Sequence, residues 1–330
     1  MAERTDNVNS DRLVAVDDLE ASLAAVERTI ADPNAGIFGP RSIVWRIHRE
    51  SALFLAAGRA ALLQLAHPWV AVAIEQHSAV MNDPIARFHN TFRVVFTMIF
   101  GSKAQAFRAA RSLHTLHTRI GGELPQAVAG YAGGSRYEAN YLPALRWVYA
   151  TLIDSAVMAY EWTLPSLTAN EKATYYAEIK KLAALFGIPA NALPEKWRSF
   201  EAYMSQMCSS DALGVDQRSR AMAHRLLSGA GSWVRLPQWS RALTAAWLPD
   251  RLRAEFGLPF GAREVLAVRS TQRWLPRLYR SLPSSLRFTG PYREACARLA
   301  GRGPSMLTRA SNRFWMGETQ MPFGERPFDK

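Results

Sequence analysis

The chain has 330 residues, of which 48% are hydrophobic and 21% charged, close to a globular average. This balance excludes a disordered chain, a collagen-like repeat and a disulfide scaffold, and the length allows one large domain or two small ones, either with a sizeable core. The formal charge is +12, and residues 211–330 carry +11 of it, which raises the question of an acidic partner. Of the 40 basic residues 34 are arginines, which favour anion recognition, although codon bias in an Ala- and Arg-rich chain gives the same composition.

Cys208 and Cys296 stand alone without a C-x-x-C pair, so no zinc or dithiol motif is present and a reducing compartment fits. The polar start, MAERTDNVNSDR, lacks the apolar run of a secretory signal. The most apolar stretch, residues 51–74, is interrupted by Arg59, Gln64, His67 and Pro68, and falls short of a membrane span. The expected location is cytoplasmic.

The pattern is helical nearly throughout. Leu19, Leu23, Val26 and Ile30 recur on one helical face, with Asp17 and Glu20 as a start signal and Pro33 beyond the end. After Gly39-Pro40 an apolar run without alternation predicts buried helix up to the break at His67-Pro68. Helix restarts over 69–80, and Asn82-Asp83-Pro84 then punctuates, with Asp83 a cap and Pro84 suited to the first helical position. Helices are expected from Pro84 to Gly101 and over 103–119 and 142–162, with Gly-rich loops between the last two. Thr168 with Glu171 forms a capping-box signature for a helix ending at Gly187, and Pro194 opens another through Met207. The last third reads as shorter helices cut by Pro237, Pro249, Pro259, Pro276, Pro283 and Pro291, anchored by Trp233, Trp239, Trp247 and Trp274. No strand pair stands out. The expected organisation is an N-terminal extension with one helix (1–37), one all-α domain (38–312) and a loose tail (313–330).

Dinucleotide, Walker, nucleophile-elbow and H-E-x-x-H motifs are absent. What remains is a crowd of histidines: His48, His67, His77, His89, His114 and His117 all fall before residue 118, and only His224 after it. Imidazole is a common ligand of transition metals and heme iron. His114 and His117 are three apart on one helix and so share a face, although a helical histidine is more often a surface or satisfied core residue. His77 lies near the same block, and a structural role suits it as well as a place lining a pocket. Arg87 and Thr91, four apart, stack on an otherwise apolar helix, where a charge and a hydroxyl are costly unless paired. The pair either meets a nearby carboxylate or projects into an apolar cavity to bind an anion, a heme propionate or oxygen. The C-terminal arginines match no nucleic-acid motif.

Residues 58–101, GRAALLQLAHPWVAVAIEQHSAVMNDPIARFHNTFRVVFTMIFG, resemble the signature region of the DUF2236 family, which includes the latex clearing protein and the MpaB oxygenase of mycophenolic acid biosynthesis. The resemblance continues in HTRIGG at 117–122, RYEANYLPALRWVYATLIDSAVMAYE at 136–161 and LTANEKATYYAEIKKLAALFGIP at 167–189. It implies a globin-like all-α domain with a heme pocket holding heme b. It also implies that His117 is the iron ligand, with His114 and His77 as further cofactor-binding candidates. Arg87 and Thr91 match the family's distal Arg-x-x-x-Thr pair and are the implied catalytic residues. The residue before Thr91 is Asn90, where the rubber oxygenase has a lysine that occupies the iron in a closed state, so lysine capping is not expected here. His114 replaces an arginine of that relative. The implied function is a heme b-dependent oxygenase acting with dioxygen on a hydrophobic, unsaturated small molecule. The alternative is a non-catalytic helical heme- or lipid-binding sensor or carrier. No nucleic acid or transmembrane segment is expected, and a homodimer is compatible with the sequence.

Overall fold

A computed structural model describes residues 12–77, 84–229 and 236–322. Its first half contains α1 (Val16–Glu27), α2 (Ile43–His48), α3 (Ala57–Leu65), α4 (Pro68–His77), α5 (Pro84–Phe100) and α6 (Lys103–His117). A short antiparallel hairpin follows, β1 (Gly121–Glu123) paired with β2 (Arg136–Glu138). Then come α7 (Leu142–Thr163), α8 (Ala169–Leu185), α9 (Trp197–Ser209), α10 (Gln217–Ser228), α11 (Gln238–Ala246) and α12 (Asp250–Glu255). The chain continues through α13 (Ala262–Ser281), α14 (Ser284–Arg287), α15 (Gly290–Leu299) and α16 (Met306–Met316). The fold is all-α apart from that hairpin.

The centre is α7, which buries residues on every face, as a helix surrounded by others must. It packs against α3, α13 and the 3-10 turn Ser51–Ala56. Trp147 Nε1 donates to the Leu63 carbonyl at 2.9 Å, and Tyr149 Oη donates to the Ile179 carbonyl at 3.2 Å, so its large rings bury without losing their polar partners. The Thr168–Glu171 capping box forms as expected.

The expected continuous helix before His67 is interrupted at Arg49-Glu50. Glu50 is only 1% exposed and is neutralised by Arg287, while Tyr279 Oη donates to it at 2.9 Å. Glu50 also bridges Phe288, and the Thr289 amide donates to the Arg49 carbonyl at 2.8 Å. A charge buried there requires these distant partners, and the chain leaves helical geometry to reach them. The hairpin was not legible because each strand has three residues, two of them glycines in β1. Pro276 does not cut a helix: α13 runs through it, held on both sides by buried Leu275 and Tyr279. Pro84 does start α5, while Asp83 and Trp233 lie outside the described residues.

One core cluster runs from Val14 to Met321, so α1 and the C-terminal segment share the interior of the rest. Helix α16 continues to Met316, and the Glu294 carboxylate accepts from the Met321 amide and from Asn312 Nδ2. The buried stripe of α16 is Thr308, Asn312 and Met316, too polar to read as a core face. A satellite cluster of Val72, Leu124 and Tyr137 anchors the hairpin on α4.

Candidate functional site

Helices α5 and α6 pack directly on each other. Along α5, Arg87, Thr91, Val94 and Met98 follow one face at helical spacing, and Phe88, Phe92 and Phe96 follow the next. Thr91 Oγ1 donates to the Arg87 carbonyl one turn back at 3.0 Å, which fixes its rotamer and leaves its lone pairs as acceptors. Ser102 caps α6 with Gln105 in a capping box, and His114 and His117 occupy the last turn.

The His117 ring keeps accessible surface, yet burial pushes its pKa down to about 4. The nearby positive charge of Arg87 acts in the same direction, and a hydrogen bond with Asn140 opposes it. Arg87 likewise keeps accessible surface while burial lowers its pKa to about 10. Both side chains are desolvated although neither residue is fully enclosed, and the lowered pKa leaves the His117 imidazole neutral at pH 7.

The other histidines differ. The His114 ring is 6% exposed, and its Nε2 donates to the Val14 carbonyl at 3.0 Å. That nitrogen carries the proton and is not a free donor pair. His77 is exposed at the end of α4; its Nε2 lies 3.2 Å from the Gly121 carbonyl and 3.1 Å from Tyr137 Oη, which ties α4 to the hairpin. His48 pairs with Tyr175 Oη at 2.9 Å and His67 with Tyr131 Oη at 3.2 Å. Burial lowers their pKa values to about 3 and about 4. His89 Nε2 donates to the Phe314 carbonyl at 3.0 Å.

Sequence reasoning passes over Asn140 and Trp315. Asn140 lies in the RYEANYLPALRWVY block just before α7, and a 5%-exposed asparagine there is a signal only once His117 is seen beside it. Trp315 stacks on Phe54 with ring centroids 3.4 Å apart. That contact joins α16 to the 3-10 turn and carries no local sequence signal.

Among the described residues, no group of three His, Cys, Asp or Glu side chains is arranged to hold a metal ion. The donor set at the α5–α6 junction is one neutral imidazole at the end of α6. This is the chemistry a single axial ligand of a macrocycle-bound iron requires. A cation and a hydroxyl on the facing helix suit an anionic or oxygen ligand. The residues present therefore fit heme.

No helix among the described residues is long and apolar enough to cross a membrane. No curated protein and no solved structure matches the chain. A family model does match, over residues 45–277, a span that includes α5, α6, the hairpin and α7, and so every element that builds the Arg87–His117 junction. On that match, the chain belongs to the family described as ER-bound oxygenase mpaB/B'/Rubber oxygenase, catalytic domain.

Proposed function

We propose that the chain is a heme b-dependent oxygenase with His117 as the iron ligand, acting on a hydrophobic, unsaturated small molecule. The observation that carries this reading is that the packed helices α5 and α6 hold a desolvated Arg87 and a desolvated, neutral His117, neither of them fully enclosed. The family name includes a rubber oxygenase, and the unsaturated substrate is an analogy from it.

When bound, heme iron supplies the activation of dioxygen. His117 would offer one ring nitrogen from the last turn of α6. Arg87 supplies positive charge where negative charge develops, an effect that is larger in a dry site than in water. Thr91 holds a hydroxyl one turn further along the same face. Phe88 and Phe92, on the neighbouring face of α5, keep partly accessible apolar surface, which suits seating of an apolar substrate. His114 and His77 support this arrangement through their carbonyl contacts. Both cysteines are free, which supports a cytoplasmic setting.

The test is spectroscopic first. Protein from heme-supplemented cells is expected to show a Soret band that His117→Ala removes and His114→Ala retains. Wild-type protein without a Soret band, even after hemin addition, overturns the proposal. Arg87→Ala and Thr91→Val are then expected to reduce oxygen consumption on terpenoid and fatty substrates with heme still bound. Heme binding without oxygen consumption on any such substrate assigns the carrier role instead.

A further inference from the structure

Part of the positive excess of residues 211–330 lies on α13. This helix packs against α7 and α11 and buries Thr271, Leu275 and Tyr279, each four residues from the next, so one narrow stripe turns inward. The face away from that stripe carries large apolar side chains where a surface helix is ordinarily polar. Leu266 is 65% exposed, Leu278 51% and Trp274 39%. Trp239 of α11 meets Trp274 edge to face with ring centroids 5.6 Å apart, which steadies the exposed indole.

Arginines are interleaved with these residues. Arg269, Arg273 and Arg277 recur at four-residue spacing on the side of the helix that carries Leu266, and Trp274 and Leu278 directly follow two of them. All three arginines are exposed. Arg277 donates to the Arg273 carbonyl within the helix, and Arg280 donates to the Pro276 carbonyl at 3.0 Å. The one carboxylate of α13, Glu264, is engaged at the helix start, where it accepts from the Gly261 amide at 2.8 Å. Acids close to α13 in the chain or in space are paired with other cations: Glu255 with Arg251, Asp250 with Arg253 and Glu50 with Arg287. The face is therefore apolar and basic at once, with no acid of its own helix beside it.

Two leucines and an indole left in water are unfavourable, and what covers them must also accept positive charge. A second copy of the chain meeting this face about a twofold axis would bring its own arginines against these. A nucleic-acid backbone would take the arginines and leave the leucines in water. An anionic lipid surface takes both. Leucine and indole enter the boundary between headgroups and acyl chains, while the guanidinium groups stay at the level of lipid phosphate and carboxylate. The embedding is shallow, because no helix among the described residues is long and apolar enough to cross a membrane.

We propose that the outward face of α13 is a peripheral docking surface for an anionic lipid bilayer. The test is sedimentation of the full chain with vesicles of phosphatidylcholine alone or mixed with phosphatidylserine. Binding to the mixed vesicles only, weakened by added salt, is expected. Arg273→Gln with Arg277→Gln is expected to lower the partition about thirtyfold, which is about fivefold for each charge taken from the surface. Leu266→Ser with Leu278→Ser is expected to lower it about tenfold or more through lost apolar burial. All four positions are exposed, so both variants should keep the wild-type urea midpoint, which separates loss of the surface from loss of the fold.

A wild-type chain that stays in solution with the mixed vesicles overturns the proposal, and so does binding that either folded variant leaves unchanged. Two further outcomes overturn it by assigning the face to another occupant. One is binding to duplex DNA in place of the vesicles, lost with the arginine pair alone. The other is a dimer, seen by sedimentation velocity without vesicle binding, that the leucine pair dissociates.

Discussion

The two helices that meet at the candidate site are held in opposite ways. The end of α6 is fixed by directional hydrogen bonds: His114 to the Val14 carbonyl and Asn140 to the His114 carbonyl. The outer face of α5 is held by aromatic packing. Phe54 stands 5.7, 4.7 and 5.9 Å from Phe88, Phe92 and Phe96, and Trp315 stacks on it from the far side. Each brace comes from a terminus outside the matched residues, residues 12–15 at one end and α16 at the other. Hydrogen bonds specify the angle of a ring, as a ligand requires. Packed aromatic faces specify volume and exclude water, and they tolerate adjustment around an apolar molecule.

Removing the aromatic brace is expected to have the largest effect. Trp315→Ala should lower the unfolding free energy by about 3–5 kcal/mol, the range for truncating a packed tryptophan. Urea unfolding checks this.

Acid should instead loosen the hairpin side. His67 pairs with Tyr131, which packs on the satellite cluster at the hairpin, and burial lowers the His67 pKa from its ordinary 6.5 to about 4. The folded state therefore favours neutral His67. Its contribution is complete above pH 6.5 and is lost as pH falls toward 4. Between pH 7 and pH 4 the loss should be on the order of 3 kcal/mol. His67→Gln should flatten that limb in urea unfolding at stepped pH, and an unchanged limb would refute the assignment.

A smaller effect is expected at Gly317, which ends α16 at φ 74° and would place a Cβ 2.9 Å from His89 Nδ1. Gly317→Ala should cost about 1 kcal/mol through that strained backbone conformation alone, read in the same unfolding assay. The exposed end of the brace, Arg93 with Glu318 at 3.3 Å, should matter least. Glu318→Ala should change stability by no more than ~0.5 kcal/mol, and salt should erase the difference.

The helices were legible wherever one face was consistently apolar or a local cap was written in the chain. Leu19, Leu23 and Val26 mark α1, and Thr168 with Glu171 marks α8. The break at Glu50 was not, because its cause is Arg287 and Tyr279, more than two hundred residues away. The course of α16 was hidden for a related reason. Its buried Asn312 is satisfied by Glu294, so a polar residue sits where a core face would be apolar. Of the site, the i, i+4 spacing placed Arg87 and Thr91 on one face, and the i, i+3 spacing placed His114 and His117 together. Nothing local separates those two histidines. The Val14 carbonyl does so, by occupying Nε2 of His114.

The sequence by itself determined the all-α class, the family and the residue types available for chemistry. Period and capping act over a few residues, and the signature blocks are contiguous. Tertiary structure decided which groups face one another. It packed α5 against α6, brought Asn140 to the end of α6 and set residues 12–15 and α16 into the same core. Desolvation and hydrogen bonding depend on neighbours distant in the chain, so those properties exist only once the helices have packed.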